Sequence, residues 1–187
     1  MTLKDTIRLI QSDVRRRIEY DRKTPGFFRF LIVLTGPANL ALSIWRFENF
    51  FASKRIPLVN KMLSIVNLVF FAMEIEPEAQ IEEGFLVLNP NGIMIHNHTK
   101  IGKNCTFVHQ VTATLGPRVG LDPINDRIII GENVTVSAGV RIIGDLTIGD
   151  SCWIGPNCVV AESVPANSRM IQNRIEPLAS APKESTP

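Results

Sequence analysis

A six-residue periodicity constrains this 187-residue chain more than any other feature. From Ile130 to Pro165 the chain divides into six successive units, which read IGENVT, VSAGVR, IIGDLT, IGDSCW, IGPNCV and VAESVP. The first and fifth residues of every unit are apolar, and the same phase begins at Ile75 and continues to Phe107. Such a repeat predicts a parallel β-helix, because each unit buries little alone and stacked units build a common core.

The phase of the repeat predicts which side chains point inward. We expect Ile142 and Ile148 to lie in the core, and the same phase places all three cysteines at the inward fifth position. These cysteines are Cys105, Cys152 and Cys158. Three cysteines without a CxxC pair do not form a disulfide framework, so the sequence predicts core packing and a reducing cytoplasm.

Glycine often follows the first residue of a unit. We expect these glycines to form corners that need an unusual backbone conformation. They are Gly102, Gly131, Gly149 and Gly155.

The residues before the repeat have helical periodicity. We predict an α-helical domain over 1–73, a β-helix over 74–165 with an extruded loop at 116–129, and a C-terminal tail over 166–187. Two apolar stretches, 26–45 and 57–73, contain too many polar residues for a membrane-spanning helix. Buried or oligomer-facing helices are the first interpretation, and peripheral contact with a membrane surface is the alternative.

Charge and aromatic content argue against nucleic acid as a partner. Twenty basic and eighteen acidic residues give a net charge of +2, which leaves no strong positive field. Two Trp and one Tyr offer few surfaces for stacking bases.

Several motifs resemble one family. An apolar helical region followed by EIEPEAQI, GIMI, VTATLG, IGENVTVSAGVRIIGDLTIG and NCVVAESVPANS resembles the serine acetyltransferases, and also their relatives that acetylate sugars of surface polysaccharides. The resemblance implies a left-handed β-helix, a homotrimer or dimer of trimers with active sites between subunits, and acetyl-CoA or another acyl-CoA as donor. It implies an O-acyltransferase whose acceptor is a hydroxyl of a small alcohol or sugar.

The catalytic motifs of the family are altered here. The family motif Asp-Ile-His-Pro is Glu74-Ile75-Glu76-Pro77, and Asn89 occupies the position of the catalytic histidine in the motif Asp-His-Ala-Thr-Gly. An amide cannot accept the hydroxyl proton at neutral pH, so Asn89 itself does not act as a base.

The repeat suggests a substitute base. The unit that begins at Val87 has eight residues and the next two units have six, so one three-sided coil here contains twenty residues. Asn89 and His109 are each third in their units and are separated by this one coil. We therefore expect His109 to lie one coil from Asn89, at the strand spacing of about 4.8 Å, and to act as the general base. Glu74 is predicted to orient His109 or to contact the substrate. By similarity to the family, CoA would bind at Ser137, Ala138, Gly139, Gly155 and Pro156.

Three alternatives remain open. His109 could be a corner histidine without a role. His96 and His98 have an H-x-H spacing that, with His109, suggests a metal-dependent enzyme of the carbonic anhydrase type, although that motif set is not matched and no metal is expected. A catalytically degenerate trimeric scaffold of the same fold is the third alternative.

Overall fold

A computed structural model describes residues 1–22, 26–116 and 127–178. Four α-helices come first, and a capping box between Thr2 and Asp5 begins the first of them. Proline occupies the first turn of the third and fourth helices, where its missing N–H would have no helical partner. The helices are α1 (Leu3–Tyr20), α2 (Phe27–Leu34), α3 (Pro37–Ser53) and α4 (Pro57–Phe71).

Fifteen short strands follow in the described part of the chain, and they form three sheets. The first sheet contains β1 (Met73–Ile75), β4 (Ile93–Ile95), β7 (Thr112–Thr114), β10 (Arg141–Ile143) and β13 (Val159–Val160). The second contains β2 (Gln80–Ile81), β5 (Thr99–Ile101), β8 (Ile128–Ile130) and β11 (Leu146–Ile148). The third contains β3 (Leu86–Val87), β6 (Thr106–Phe107), β9 (Thr135–Val136), β12 (Trp153–Ile154), β14 (Ser168–Ile171) and β15 (Arg174–Pro177).

Successive strands enter the three sheets in turn, so the chain winds as a three-sided parallel β-helix. Ile142 pairs with Ala113 on one side and with Val160 on the other. Ile142 and Ile148 have no exposed surface. The predicted architecture and the inward phase of the repeat are therefore confirmed. The three cysteines are buried in the same core.

The predicted role of the repeat glycines is wrong. Gly102 and Gly149 do not have a positive φ, and the left-handed conformation falls on later corner residues such as Asn104 (φ 57°) and Ser151 (φ 55°). The glycines are needed because the next coil is too close for a side chain. A Cβ added to Gly149 would lie 2.4 Å from the backbone nitrogen of Ala166.

Two predicted boundaries differ from the structure. The extruded loop was predicted over 116–129, but Ile128 and Ile129 belong to β8, and residues 117–126 lie outside the described residues. The segment predicted as a tail continues the third sheet, because β14 pairs in parallel with β12 and β15 turns back antiparallel to β14. Gln172 and Asn173 both have positive φ, as a tight hairpin turn requires.

The helical region is attached to the first coil through a buried ion pair. Arg46 of α3 donates from Nε to Asp13 Oδ2 at 3.0 Å and from Nη1 to the Ile81 carbonyl at 2.7 Å. Asp13 Oδ1 accepts a hydrogen bond from the Phe85 backbone N–H at 2.9 Å. Burial raises the pKa of Asp13 to about 6 while the Arg46 guanidinium opposes that rise, so the carboxylate is ionised at neutral pH.

In the described part of the chain, no helix combines the length and the hydropathy that a membrane span requires.

Candidate active site

One corner of the β-helix collects most of the predicted site residues. We call it the corner column, and it consists of the residues at which the chain passes from the third sheet to the first: 88–92, 108–110, 137–140 and 155–158. Val87 is in register with Phe107, the Leu88 N–H donates to the Phe107 carbonyl (2.9 Å), and the Asn89 N–H donates to the Val108 carbonyl (3.0 Å). Hence His109 lies directly above Asn89, one coil away.

The residues predicted to bind CoA continue the same column. The Gly139 N–H donates to the His109 carbonyl at 3.0 Å, and the Asn157 N–H donates to the Ala138 carbonyl at 2.8 Å. Gly139 has φ +75°, and a Cβ there would lie 2.1 Å from Asn157 Oδ1. The two coils after His109 therefore carry Ser137, Ala138, Gly139, Gly155 and Pro156 on one edge.

The two central side chains of the column differ in their contacts. Asn89 is exposed, and its Oδ1 accepts a hydrogen bond from the Asn91 backbone N–H at 3.0 Å, which fixes the amide within its own turn. His109 is half-buried, and its ring forms no hydrogen bond or ion pair with the described residues. An imidazole in this position can exchange protons with a bound molecule.

A cavity of about 650 Å³ adjoins the Asn89 end of the corner column. Helices α2 and α4 supply an apolar wall, and α1 supplies a charged edge, where Arg17 Nε lies 3.4 Å from Asp21 Oδ1. Arg17 also donates to the Val87 and Leu88 carbonyls, at 3.3 and 3.4 Å. The residues that line the cavity include Arg17, Asp21, Ile32, Val33, Val69, Phe70, Asn89 and Asn91. Sequence analysis missed this helical wall, because the spacing of the repeat carries no information about the helices.

Glu74 is not brought to His109 within one chain. It lies on the first sheet, exposed, in register with Met94, and β4 in turn pairs Met94 with Thr112. Among the described residues no hydrogen bond or ion pair joins Glu74 to His109. Its predicted orienting role therefore has no contact within one chain to support it.

A second pair of residues was missed at the next corner. His96 Nδ1 lies 3.6 Å from Glu76 Oε1, and Glu76 Oε2 accepts a hydrogen bond from the Asn97 N–H at 3.0 Å. Glu76 and His96 are twenty residues apart and each follows the first residue of its unit. The coil spacing that pairs Asn89 with His109 thus pairs these two residues as well.

Neither metal binding nor cysteine chemistry gains support from the geometry. Within the described ranges, no group of three or more His, Cys, Asp or Glu side chains could hold a metal ion. Burial raises the pKa of the Cys105 thiol to about 11, so this cysteine is a poor nucleophile at neutral pH.

Comparisons with known proteins agree with this architecture. No family model matches the chain. A serine acetyltransferase of Staphylococcus xylosus is 30% identical over 168 residues, which are 88% of this chain and 74% of that protein. The solved structure of soybean serine acetyltransferase apoenzyme has 26% sequence identity and a TM-score of 0.78, and the match covers 91% of this chain and 68% of the soybean chain.

A further solved structure contains a ligand. Serine acetyltransferase of Brucella abortus strain S19, in complex with coenzyme A, has a TM-score of 0.79 at 21% identity, and the match covers 92% of this chain and 68% of the other. At this identity, the comparison shows that the two chains share a fold.

The coil and the helical region define the class as the left-handed parallel β-helix of the hexapeptide-repeat acyltransferases. Within that class, the chain belongs to the serine acetyltransferase family. The predicted fold class and the predicted resemblance to the serine acetyltransferases are confirmed. The chain spans 62% of the length of the serine acetyltransferase of Synechococcus elongatus.

Proposed function

We propose that this protein is an acyl-CoA-dependent O-acyltransferase that transfers an acetyl group from acetyl-CoA to a hydroxyl of a small alcohol or sugar. Membership of the serine acetyltransferase family supports the reaction class. The observation that carries the proposal is the register of the corner column, in which His109 lies between Asn89 and the coils predicted to bind CoA.

In this mechanism His109 is the catalytic base. The acceptor hydroxyl gives its proton to the imidazole, and its oxygen attacks the thioester carbonyl of acetyl-CoA. The tetrahedral intermediate then collapses, the carbon–sulfur bond breaks, and the CoA thiolate takes the proton from the imidazolium. The products are the O-acetyl ester and free CoA, so the atoms and electrons of the reaction balance without an oxidant or a metal.

Backbone groups of the same column are suited to stabilise the intermediate. The N–H groups of His109 and Ala138 donate to no acceptor in the part of the chain that the structure describes. Donors of this kind stabilise a developing oxyanion when they are held in a fixed geometry. The cavity beside Asn89 is the proposed acceptor site, since it adjoins Asn89, one coil from the proposed base, and has both charged and apolar walls.

We propose a homotrimer, alone or paired through the helical region, with CoA bound in the groove between neighbouring subunits. The proposal rests on the family and on apolar residues exposed on the outer faces of the coil, such as Met94, Ile129 and Val159. A cytoplasmic location is proposed because the three cysteines are free thiols. Peripheral membrane contact is proposed for the helical region.

The alternative function, a catalytically inactive trimeric scaffold, is not favoured by membership of an enzyme family. The two functions make different predictions for ligand binding. An enzyme is stabilised against heat by acetyl-CoA through mass action. A scaffold that has lost the donor site shows no shift.

The test compares two histidines. We expect His109→Ala to lower turnover by roughly 10²–10⁴-fold, as removal of a general base does, and to leave acetyl-CoA binding unchanged. His96→Ala is the matched control, because His96 is a half-buried corner histidine outside the corner column. Release of CoA would be measured with a panel of acceptors that includes L-serine and free sugars. Asn89→His should retain turnover, and combined with His109→Ala it should restore part of the loss.

The results separate the hypotheses. Full turnover in His109→Ala together with loss in His96→Ala would refute the role of His109 and assign the base to the Glu76–His96 pair. A chain that shows no thermal shift with acetyl-CoA and no turnover with any acceptor would favour the scaffold.

A further inference from the structure

The outer face of α4 is apolar along its whole length. Leu58, Met62, Ile65 and Val69 recur at intervals of four, three and four residues and so lie on one side of the helix. Their exposed fractions are 73, 60, 49 and 69%. We call these four residues the α4 stripe. A surface helix normally presents polar residues here, so the stripe indicates a face that is covered when the protein functions.

The opposite side of α4 carries polar contacts to α3 beside Phe71, which packs on the core. Asn67 is buried, and its Nδ2 donates to the Ala41 carbonyl of α3 at 3.1 Å. Ser64 faces the Glu48 carboxyl of α3 and opposes the rise of its pKa. These polar contacts set the rotation of α4 on α3, and the apolar stripe is turned outward as a result.

The charge around the stripe is strongly positive. Residues 22–73 contain seven Lys or Arg, of which Arg46 is buried in the ion pair with Asp13, and one acidic residue, Glu48, which is only 2% exposed. Lys54 and Arg55 precede α4 and Lys61 lies on its first turns, and all three are exposed. Neither α2 nor α4 contains an Asp or Glu. A second copy of this face therefore offers no acidic partner for these cations.

We propose that the α4 stripe and its flanking cations bind the surface of a membrane that contains anionic lipids. In this arrangement α4 lies in the plane of the interface, with the stripe among the acyl chains and the cations at the headgroups. At fifteen residues the helix is about 22 Å long, which suits an interfacial helix.

The docking surface is continuous with the candidate site. Val69 belongs to the stripe and also lines the cavity beside Asn89, together with its neighbour Phe70. Docking would therefore hold the cavity at the bilayer surface. The membrane contact itself does not depend on the proposed chemistry, so each can fail without the other.

The test is flotation of the full chain with lipid vesicles. We expect binding to vesicles that contain phosphatidylglycerol and little binding to pure phosphatidylcholine. Ile65→Glu should weaken binding at least roughly tenfold, since it places a charge in the apolar stripe. Changing Lys54 and Arg55 to Gln should weaken it about fivefold per charge, with a further loss at high salt.

The matched control is Leu3→Glu on α1. Leu3 is 50% exposed and Ile65 is 49% exposed, so the two variants add the same charge at equally accessible apolar positions. Leu3→Glu should bind vesicles as the parent does, and both variants should keep the melting temperature of the parent.

Three results would overturn the proposal: equal binding to neutral and anionic vesicles, equal loss in Leu3→Glu and Ile65→Glu, or no binding by the parent. If the parent does not bind and Ile65→Glu lowers the molar mass in light scattering, the stripe is an interface between copies of this chain.

Discussion

The ion pair between Asp13 and Arg46 permits the most quantitative prediction. Both side chains are almost fully buried, at 3 and 2% exposure. The pair joins α1, α3 and the first coil, because Arg46 also donates to the Ile81 and Glu82 carbonyls and Asp13 accepts from the Phe85 N–H. Its loss should therefore loosen the helical region from the β-helix.

Asp13→Ala should destabilise the protein by about 3–5 kcal/mol, since it leaves the Arg46 charge buried without its counter-ion. For a chain of this size, each kcal/mol lowers the melting temperature by about 2–4 °C, so we expect a fall of roughly 6–20 °C. Arg46→Met should cost a similar amount, because the Asp13 carboxylate is then buried unpaired.

The double variant Asp13→Ala with Arg46→Met should cost less than the sum of the two single changes, with a coupling of at least about 2 kcal/mol. It should not reach the stability of the parent, because the Phe85 N–H and the Ile81 and Glu82 carbonyls lose their partners.

Thermal unfolding followed by circular dichroism, at one protein concentration throughout, measures these effects. Glu19→Ala is the control, as Glu19 is an exposed acid of the same helix and its loss should change stability by about 0.5 kcal/mol at most. The reasoning is refuted if Asp13→Ala costs no more than Glu19→Ala, or if the two single effects simply add.

Two further predictions concern the core and the pH dependence of stability. Ile148→Asp should prevent folding of the β-helix, because it buries an unpaired carboxylate at a fully buried position, and an unchanged melting temperature would contradict the phase of the repeat. Burial and the nearby Glu78 raise the pKa of Glu48 to about 7, above its ordinary value of 4.5, so the folded state binds this proton more tightly than the unfolded state does. The contribution of Glu48 to the free energy of unfolding is therefore fully present below about pH 4.5. It is lost as the pH rises toward and through 7, by at most about 3 kcal/mol. Glu48→Gln should flatten this dependence and raise the melting temperature at about pH 8, whereas a variant that keeps the full slope would show that another group is responsible.

The repeat could be interpreted without a structure because its cause is local. A six-residue period places the inward side chains, and a twenty-residue coil places Asn89 below His109, because strand pairing in a β-helix joins residues at a constant sequence separation. Applied more widely, the same spacing would have paired Glu76 with His96 from the sequence alone. The predicted reason for the glycines, an unusual backbone conformation, was wrong. At Gly149 the short distance to the next coil, rather than φ, excludes a side chain.

The helical region was decided by tertiary contacts. Helical periodicity predicted a helical region there, but the apolar stripe of α4 turns outward because Asn67 bonds to α3 on the opposite side. Likewise, the spacing of residues in α1 and α3 gives no sign that Asp13 and Arg46 meet, thirty-three residues apart, at the first coil. A repeat is determined by its own short sequence because each unit contacts a copy of itself. A helix packed on unlike neighbours takes its orientation from those neighbours, and this is the physical reason why the cavity wall and the α4 stripe emerged only from the folded structure.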